Sequence, residues 1–245
     1  FILCRDNPSW PNSCDTQVRI RLILDRSGSV RPYEATFRAA AQAMVEALRG
    51  QPVTLELWQF ASAAGSVGEY DLSTTAGANT ASADIANQYA GVPPNGYTNW
   101  DDALWGARAS NASVVILLTD GNPTSTRIGT TNSTVQQRDV TMAIASANLV
   151  KAGTAGGPAK RVVAVGAGSN VNVPNLKALS GDVLNQDYFL ATNLDDLKAQ
   201  LERVAGEICG ARVHVKKILD GVATEGWDFS GSNAATGVSI VHMNG

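Results

Sequence analysis

From Leu22 to Val30 the chain reads Leu-Ile-Leu-Asp-Arg-Ser-Gly-Ser-Val. An apolar run ends in a carboxylate, Asp25, and two hydroxyls, Ser27 and Ser29, follow at alternate positions. Carboxylate and hydroxyl oxygens are hard ligands, suited to magnesium, manganese or calcium rather than zinc. The apolar run has strand character and a helical pattern begins a few residues later. The oxygens therefore fall in a loop at the carboxyl end of a strand, where open α/β sheets hold their ligands. Ser27 and Ser29 taken singly would also serve as caps for the helix that follows.

Asp-x-Ser-x-Ser after a hydrophobic strand resembles the metal-ion-dependent adhesion site of von Willebrand factor A domains. The resemblance implies a threonine on a second loop and an aspartate after a later strand. Gly96-Tyr97-Thr98-Asn99-Trp100-Asp101-Asp102 and Val114-Val115-Ile116-Leu117-Leu118-Thr119-Asp120-Gly121 supply them as Thr98 and Asp120. It further implies a Mg2+ ion, with Mn2+ or Ca2+ as alternatives, bound by Asp25, Ser27, Ser29, Thr98 and Asp120. The partner it implies is a protein offering an acidic side chain, such as a host matrix or cell-surface protein. Gly28 and Gly121, beside the ligands, are expected to relax the loop backbone. Asp101 and Asp102 read instead as first-turn acids favoured by the helix dipole, and Trp58, Trp100 and Trp105 as core or rim aromatics. An Asp120-Gly121 pair alone would be an ordinary turn signal; three segments in the right order argue for a site.

The elements that must position these residues follow in order. Strands are expected at 18–24, 53–60, 113–119, 161–165 and 188–191, with 65–72 as a hairpin partner of 53–60. Helical patterns run over Phe37 to Leu48, a short 83–89, 98–110, 135–151, a short 175–179 and 194–208, the last capped by Asn193. A polar loop covers 122–133. Ser113 to Thr119 is almost unbroken β-branched residues and Leu, the mark of a central strand covered on both faces. Alternating strands and helices of these lengths give a doubly wound α/β fold, a mostly parallel sheet with helices on both faces.

The domain plan is an N-terminal arm over 1–17, the A-type domain over 18–209 and a β-rich flank over 210–245. Arg212 to Ile218, Gly226 to Phe229 and Val238 to Val241 are the candidate strands of the flank. The flank resembles the opening of prealbumin-like modules in Gram-positive stalks, where a first-strand lysine forms an internal isopeptide bond; Lys216 or Lys217 would be that lysine. Arm and flank can also be read as one β-module into which the large domain is inserted.

The 245 residues, 44% of them hydrophobic, suffice for one large core. A net charge of -3 gives no basic face for nucleic acid, and no apolar run approaches a membrane span of about 20 residues. The start at Phe1 reads as a mature product or a trimmed one. Cys14 and Cys209 bracket the domain and read as a staple in an oxidising compartment, with Cys4 as the alternative partner and one thiol left over. No His, Cys or Lys accompanies the metal segments as a general base, and no phosphate loop or nucleophile elbow is present, so an enzyme is not expected. The expectation is an extracellular adhesin domain of a bacterial surface or pilus tip, monomeric or part of a larger surface polymer. The alternatives are an animal matrix or receptor protein, a metal-containing scaffold, and a metal-dependent hydrolase.

Overall fold

In the computed structural model, residues 4–11, 14, 16–89, 94–129, 131–153, 157–209, 218–219 and 222–223 are described. A six-stranded sheet runs in the order β3-β2-β1-β4-β5-β6. Its strands are β1 (Val18–Asp25), β2 (Val53–Phe60), β3 (Ala64–Asp71), β4 (Val114–Thr119), β5 (Arg161–Ala167) and β6 (Tyr188–Ala191). β3 alone is antiparallel, joined to β2 as a hairpin; the others pair in parallel. This is the doubly wound α/β architecture.

The parallel strands are apolar because both their faces are covered. β4 is buried at all six positions and β5 at all seven. On one face Ile20, Leu22, Leu24, Ile116 and Leu118 pack beneath α1 (Glu34–Ala47), α2 (Thr75–Tyr89) and α6 (Leu194–Cys209). On the other, Ile23, Val115 and Leu117 meet α3 (Trp100–Ala107), α4 (Gln137–Ala152) and α5 (Val173–Ser180). The chain leaves β1 toward β2 and later returns to β4 on β1's other side. The carboxyl ends of β1 and β4 thus flank the switch point of the topology.

Helix α2 starts at Thr75, whereas the sequence pattern marks only 83–89. Its buried stripe is Ala78, Ala81, Ile85 and Tyr89, and alanines make a helical face without a strong apolar signal. α4 is closed at its start by a reciprocal pair between Gln136 and Asp139 and ended by the left-handed Gly153. Asn193 accepts from the Asp196 N–H at 2.9 Å, capping α6.

Opposite the switch point, Cys14 and Cys209 form a disulfide with Cα atoms 4.7 Å apart; Cys4 is free and exposed. The arm lies along the amino ends of the strands. Asn7 exchanges two amide hydrogen bonds with the backbone of Val162, both 2.8 Å, and Lys151 Nζ donates to the Arg5 carbonyl at 2.8 Å.

The chain divides into two units, Phe1–Ala211 and Arg212–Gly245. Of the second, β7 (Ile218–Leu219) and β8 (Val222–Ala223) are described, an antiparallel pair. Lys216, Lys217 and most of the flank's expected strands lie outside the described residues. Among the described residues no helix is long and apolar enough to cross a membrane.

Candidate metal centre

Asp25 is the last residue of β1 and Thr119 the last of β4. Adjacent parallel strands bring the two side chains together: Thr119 Oγ1 donates to Asp25 Oδ2 at 2.6 Å. The other carboxylate oxygen, Oδ1, accepts the Ser27 N–H at 2.8 Å, which folds the loop back over the strand end. The loop continues as a 3-10 turn, Gly28–Tyr33, before α1. Ser27 stands at its N-cap position, yet its side chain makes no capping hydrogen bond. Its hydroxyl lies instead 3.1 Å from that of Ser29, and Ser29 donates to Asp120 Oδ1 at 2.8 Å.

Thr98 belongs to a second loop fixed against the first by backbone bonds. The Gly28 N–H donates to the Gly96 carbonyl at 3.0 Å and the Asn95 N–H to the Arg26 carbonyl at 2.9 Å. Thr98 also ties this loop to the one after Asp120: its N–H donates to Thr124 Oγ1 at 3.1 Å, and its carbonyl accepts the Thr124 N–H at 2.9 Å. The structure thus joins Asp25, Ser27, Ser29 and Asp120 in one hydrogen-bonded group. Thr98, 5% exposed, is held on the adjoining loop through its backbone.

Gly28 and Gly121 differ from expectation. Neither has a positive φ; the left-handed glycine of the site is Gly96, at φ 93°. A Cβ at Gly28 would stand 3.5 Å from the Gly96 oxygen, an ordinary contact, so neither space nor φ demands glycine there. Two supporting residues escaped the sequence reading. Thr119 holds Asp25, and the fully buried Trp100 donates its indole N–H to Thr119 Oγ1 at 3.2 Å. A polar residue closing an otherwise apolar buried strand was the available signal for Thr119.

Burial pushes the Asp25 carboxyl up to about 7, aided by the nearby Asp120 and opposed by the bonds from Thr119 and Ser27. Burial also raises Asp120, against the bond from Ser29. Positive charge among these oxygens would favour both ionised forms. Asp120 Oδ2 is buried without a hydrogen-bond partner, and an unsatisfied buried carboxylate oxygen is costly.

The oxygens of Ser27, Ser29 and Asp120 are spaced as a small divalent ion would need. Neighbouring ligands of an octahedral magnesium at 2.0–2.1 Å lie about 2.9 Å apart; the oxygen separations here are 3.1 and 2.8 Å. Among the described residues no three His, Cys, Asp or Glu side chains gather as metal ligands. Two carboxylates completed by three hydroxyls would balance the charge of a divalent ion and supply five of the six oxygens it takes, which would leave one position for a further oxygen. The site is a face between loops, and a cleft of about 670 Å³ beside Asn7, Pro174, Lys177 and Asp187 contains none of its residues.

Asp101 and Asp102 are engaged elsewhere. Asp101, fully buried, accepts from Ser146 Oγ at 2.6 Å and from the Arg127 N–H at 3.1 Å; Asp102 accepts the Ala64 N–H at 2.7 Å.

No protein-family model matches the chain, and neither does any curated protein. Solved structures do. The pilus adhesin SpaC from Lactobacillus rhamnosus GG superposes with a TM-score of 0.60 at 17% identity, over 83% of this chain and 32% of that one. A von Willebrand factor type A protein from Catenulispora acidiphila gives 0.59 at 16%, over 83% and 44%. Proximal thread matrix protein 1 from the mussel byssus gives 0.58 at 20%, over 80% and 49%; another structure of that protein has a zinc-occupied metal-ion-dependent adhesion site. The chain spans between a third and a half of the length of these neighbours. The fold is that of von Willebrand A domains, and the neighbours include a pilus adhesin and a matrix protein.

Proposed function

We propose that this chain is an extracellular adhesive domain that binds an acidic side chain of a protein partner through a divalent cation. Asp25, Ser27, Ser29, Thr98 and Asp120 would hold the ion, and magnesium suits their hard oxygens and close spacing best. The observation that carries this reading is the buried, unpartnered Asp120 Oδ2 beside two hydroxyls that cap no helix. The ion supplies a strong positive charge with a position left for a ligand oxygen. The protein's part is to fix the donors: Thr119 and the Ser27 N–H orient Asp25, Ser29 orients Asp120, and Thr98 links the two outer loops.

An extracellular setting is supported by the Cys14–Cys209 disulfide and by pilus and matrix proteins among the structural neighbours. The open face between loops suits a protein partner better than a small substrate enclosed in a cavity. The domain would occupy 18–209, with the arm clasped to it and a β-rich stalk segment beginning at 210.

Calorimetric titration of metal-stripped protein with Mg2+, Mn2+ and Ca2+ tests the reading, run alone and with excess acetate as a carboxylate donor. Saturable binding that disappears in Asp25→Ala is expected. Absence of binding by all three ions under both conditions would refute it.

A further inference from the structure

The loop of Asp25 and the loop of Thr98 are tied together through Asn95 and Gly96. The Asn95 N–H donates to the Arg26 carbonyl at 2.9 Å, and the Gly96 carbonyl accepts the Gly28 N–H at 3.0 Å. One residue further on, the Tyr97 N–H donates to Ser62 Oγ at 3.0 Å. The chain on either side of the Asn95–Gly96 peptide bond is therefore pinned.

The same two residues form a reactive pair. The Gly96 N–H donates to Asn95 Oδ1 at 2.8 Å. That oxygen is bonded to Cγ, so the contact holds the Gly96 nitrogen against the side-chain amide carbon, and such an attack starts from about 3–3.5 Å. Gly96 sits at φ 93° and has no Cβ to shield its nitrogen. Both residues are exposed, and Asn95 lines a cleft of about 340 Å³ with Arg26, Gln59 and Ala61. Water reaches the amide there, and ammonia can leave.

We propose that Asn95–Gly96 is a self-modification site whose isoaspartyl product unties the loop of Thr98 from the loop of Asp25. Hydroxide removes the Gly96 N–H proton, and the nitrogen attacks Cγ. The N–Cγ bond forms, the Cγ–Nδ2 bond breaks, and ammonia leaves with a proton taken from water, which restores the hydroxide. Water then opens the five-membered succinimide. Addition at Cγ gives aspartate. Addition at the backbone carbonyl carbon of residue 95 breaks its bond to the Gly96 nitrogen and gives isoaspartate, with a free α-carboxylate and the main chain running through Cβ and Cγ. No group is oxidised or reduced. The isoaspartyl chain has one more carbon between the residue 95 N–H and the Gly96 carbonyl, so the bonds to Arg26 and Gly28 cannot both be kept. Tyr97, held at Ser62, stops the extra length from passing down the loop.

The test incubates the intact chain at pH 6 and pH 8, beside a synthetic peptide covering 91–100 and beside Asn95→Gln, whose longer side chain would have to close a six-membered ring. Peptide mapping by mass spectrometry, with isoaspartyl methyltransferase to count the isomer, separates Asn95 from Asn244, the other Asn–Gly step of the sequence. Amide exchange of Gly28 and residue 95 is read by NMR before and after incubation. Expected is conversion at Asn95 that is faster at pH 8, at least as fast in the folded chain as in the peptide, and lost in Asn95→Gln. In the converted chain at least one of the two amides should exchange about fivefold faster or more. An Asn95 that converts more slowly in the folded chain than in the peptide, or not at all, overturns the site. Conversion that leaves both amides exchanging as before overturns the untying.

Discussion

Replacing Asp25 with asparagine separates the cost of the site from its use. Asp25 is fully buried, and its carboxyl is raised from 3.8 to about 7. A raised carboxyl means that the folded, metal-free protein holds a proton that the unfolded chain releases. The stability linked to Asp25 is therefore complete below pH 3.8 and is lost as pH rises through about 7. The shift corresponds to about 4 kcal/mol. The asparagine of the Asp25→Asn variant would keep the shape and the bond from the Ser27 N–H, while its amide would turn Thr119 from donor to acceptor at a cost of about 1 kcal/mol. At pH 8 in chelator, Asp25→Asn should thus be more stable than the parent by about 3 kcal/mol, roughly 6–12 °C in Tm. Near pH 4 the difference should vanish or reverse. With saturating Mg2+ at pH 8 the parent should gain stability and the variant should not, because the ion needs the ionised carboxylate. Thermal melts at pH 4, 6 and 8, with Mg2+ and with chelator, decide the matter. A variant less stable than the parent at pH 8 in chelator would refute the claim that burial of Asp25 is a stored cost which the ion relieves.

Three further outcomes are expected. Glu56 makes a 2.6 Å ion pair with Arg21 and accepts from Ser110 at 2.8 Å, both partners being nearly buried; Glu56→Gln strands the guanidinium and should cost about 3–5 kcal/mol in urea unfolding. Gly96→Ala places a Cβ 2.7 Å from Ser62 Oγ at φ 93°, so it should lose about 1–2 kcal/mol and weaken Mg2+ binding, whereas Gly28→Ala should stay within about 0.5 kcal/mol, both read by melts and calorimetry. Lys151, 2% exposed, is pushed down to about 8 by burial; stability should rise with pH from about 8 toward 10.5 as the unfolded chain keeps the proton longer, and Lys151→Met should lack that rise.

The strands were legible because a doubly covered parallel sheet writes itself as apolar runs, and Val114 to Thr119 has one polar residue in six. The hairpin partner β3 was legible from its place directly after β2. Helix α2 was half hidden, because Ala78 and Ala81 make up half of its buried stripe and carry little apolar signal. The same reason governs the site. Strand ends announced Asp25 and Asp120, whereas Thr119, fixed beside Asp25 by the pairing of β1 and β4, passed as the close of an apolar run. The contacts that brace them, Trp100 to Thr119 and Thr124 to Thr98, cross from one loop or element to another. No period or spacing in the sequence encodes such pairings.

That difference bears on how the site would respond to a partner. Asp25 is bolted to the sheet by Thr119 and Ser27, whereas Thr98 and Thr124, on the loop after Asp120, are bonded to each other. A ligand that draws Thr98 toward the ion would carry Thr124 with it, and Asp25 would stay in place. Arg127 sets the limit of this travel, since moving that loop means parting its N–H from the buried Asp101, a bond to a charged acceptor worth about 1.5–3 kcal/mol. The loop after Asp120 is therefore coupled to the Thr98 side of the centre, and loosening the Arg127–Asp101 anchor should change partner affinity more than metal affinity. Asp101→Asn, measured for Mg2+ by calorimetry and for peptides carrying one Glu by binding, separates the two; an equal loss in both would show that the anchor serves the whole face rather than that loop.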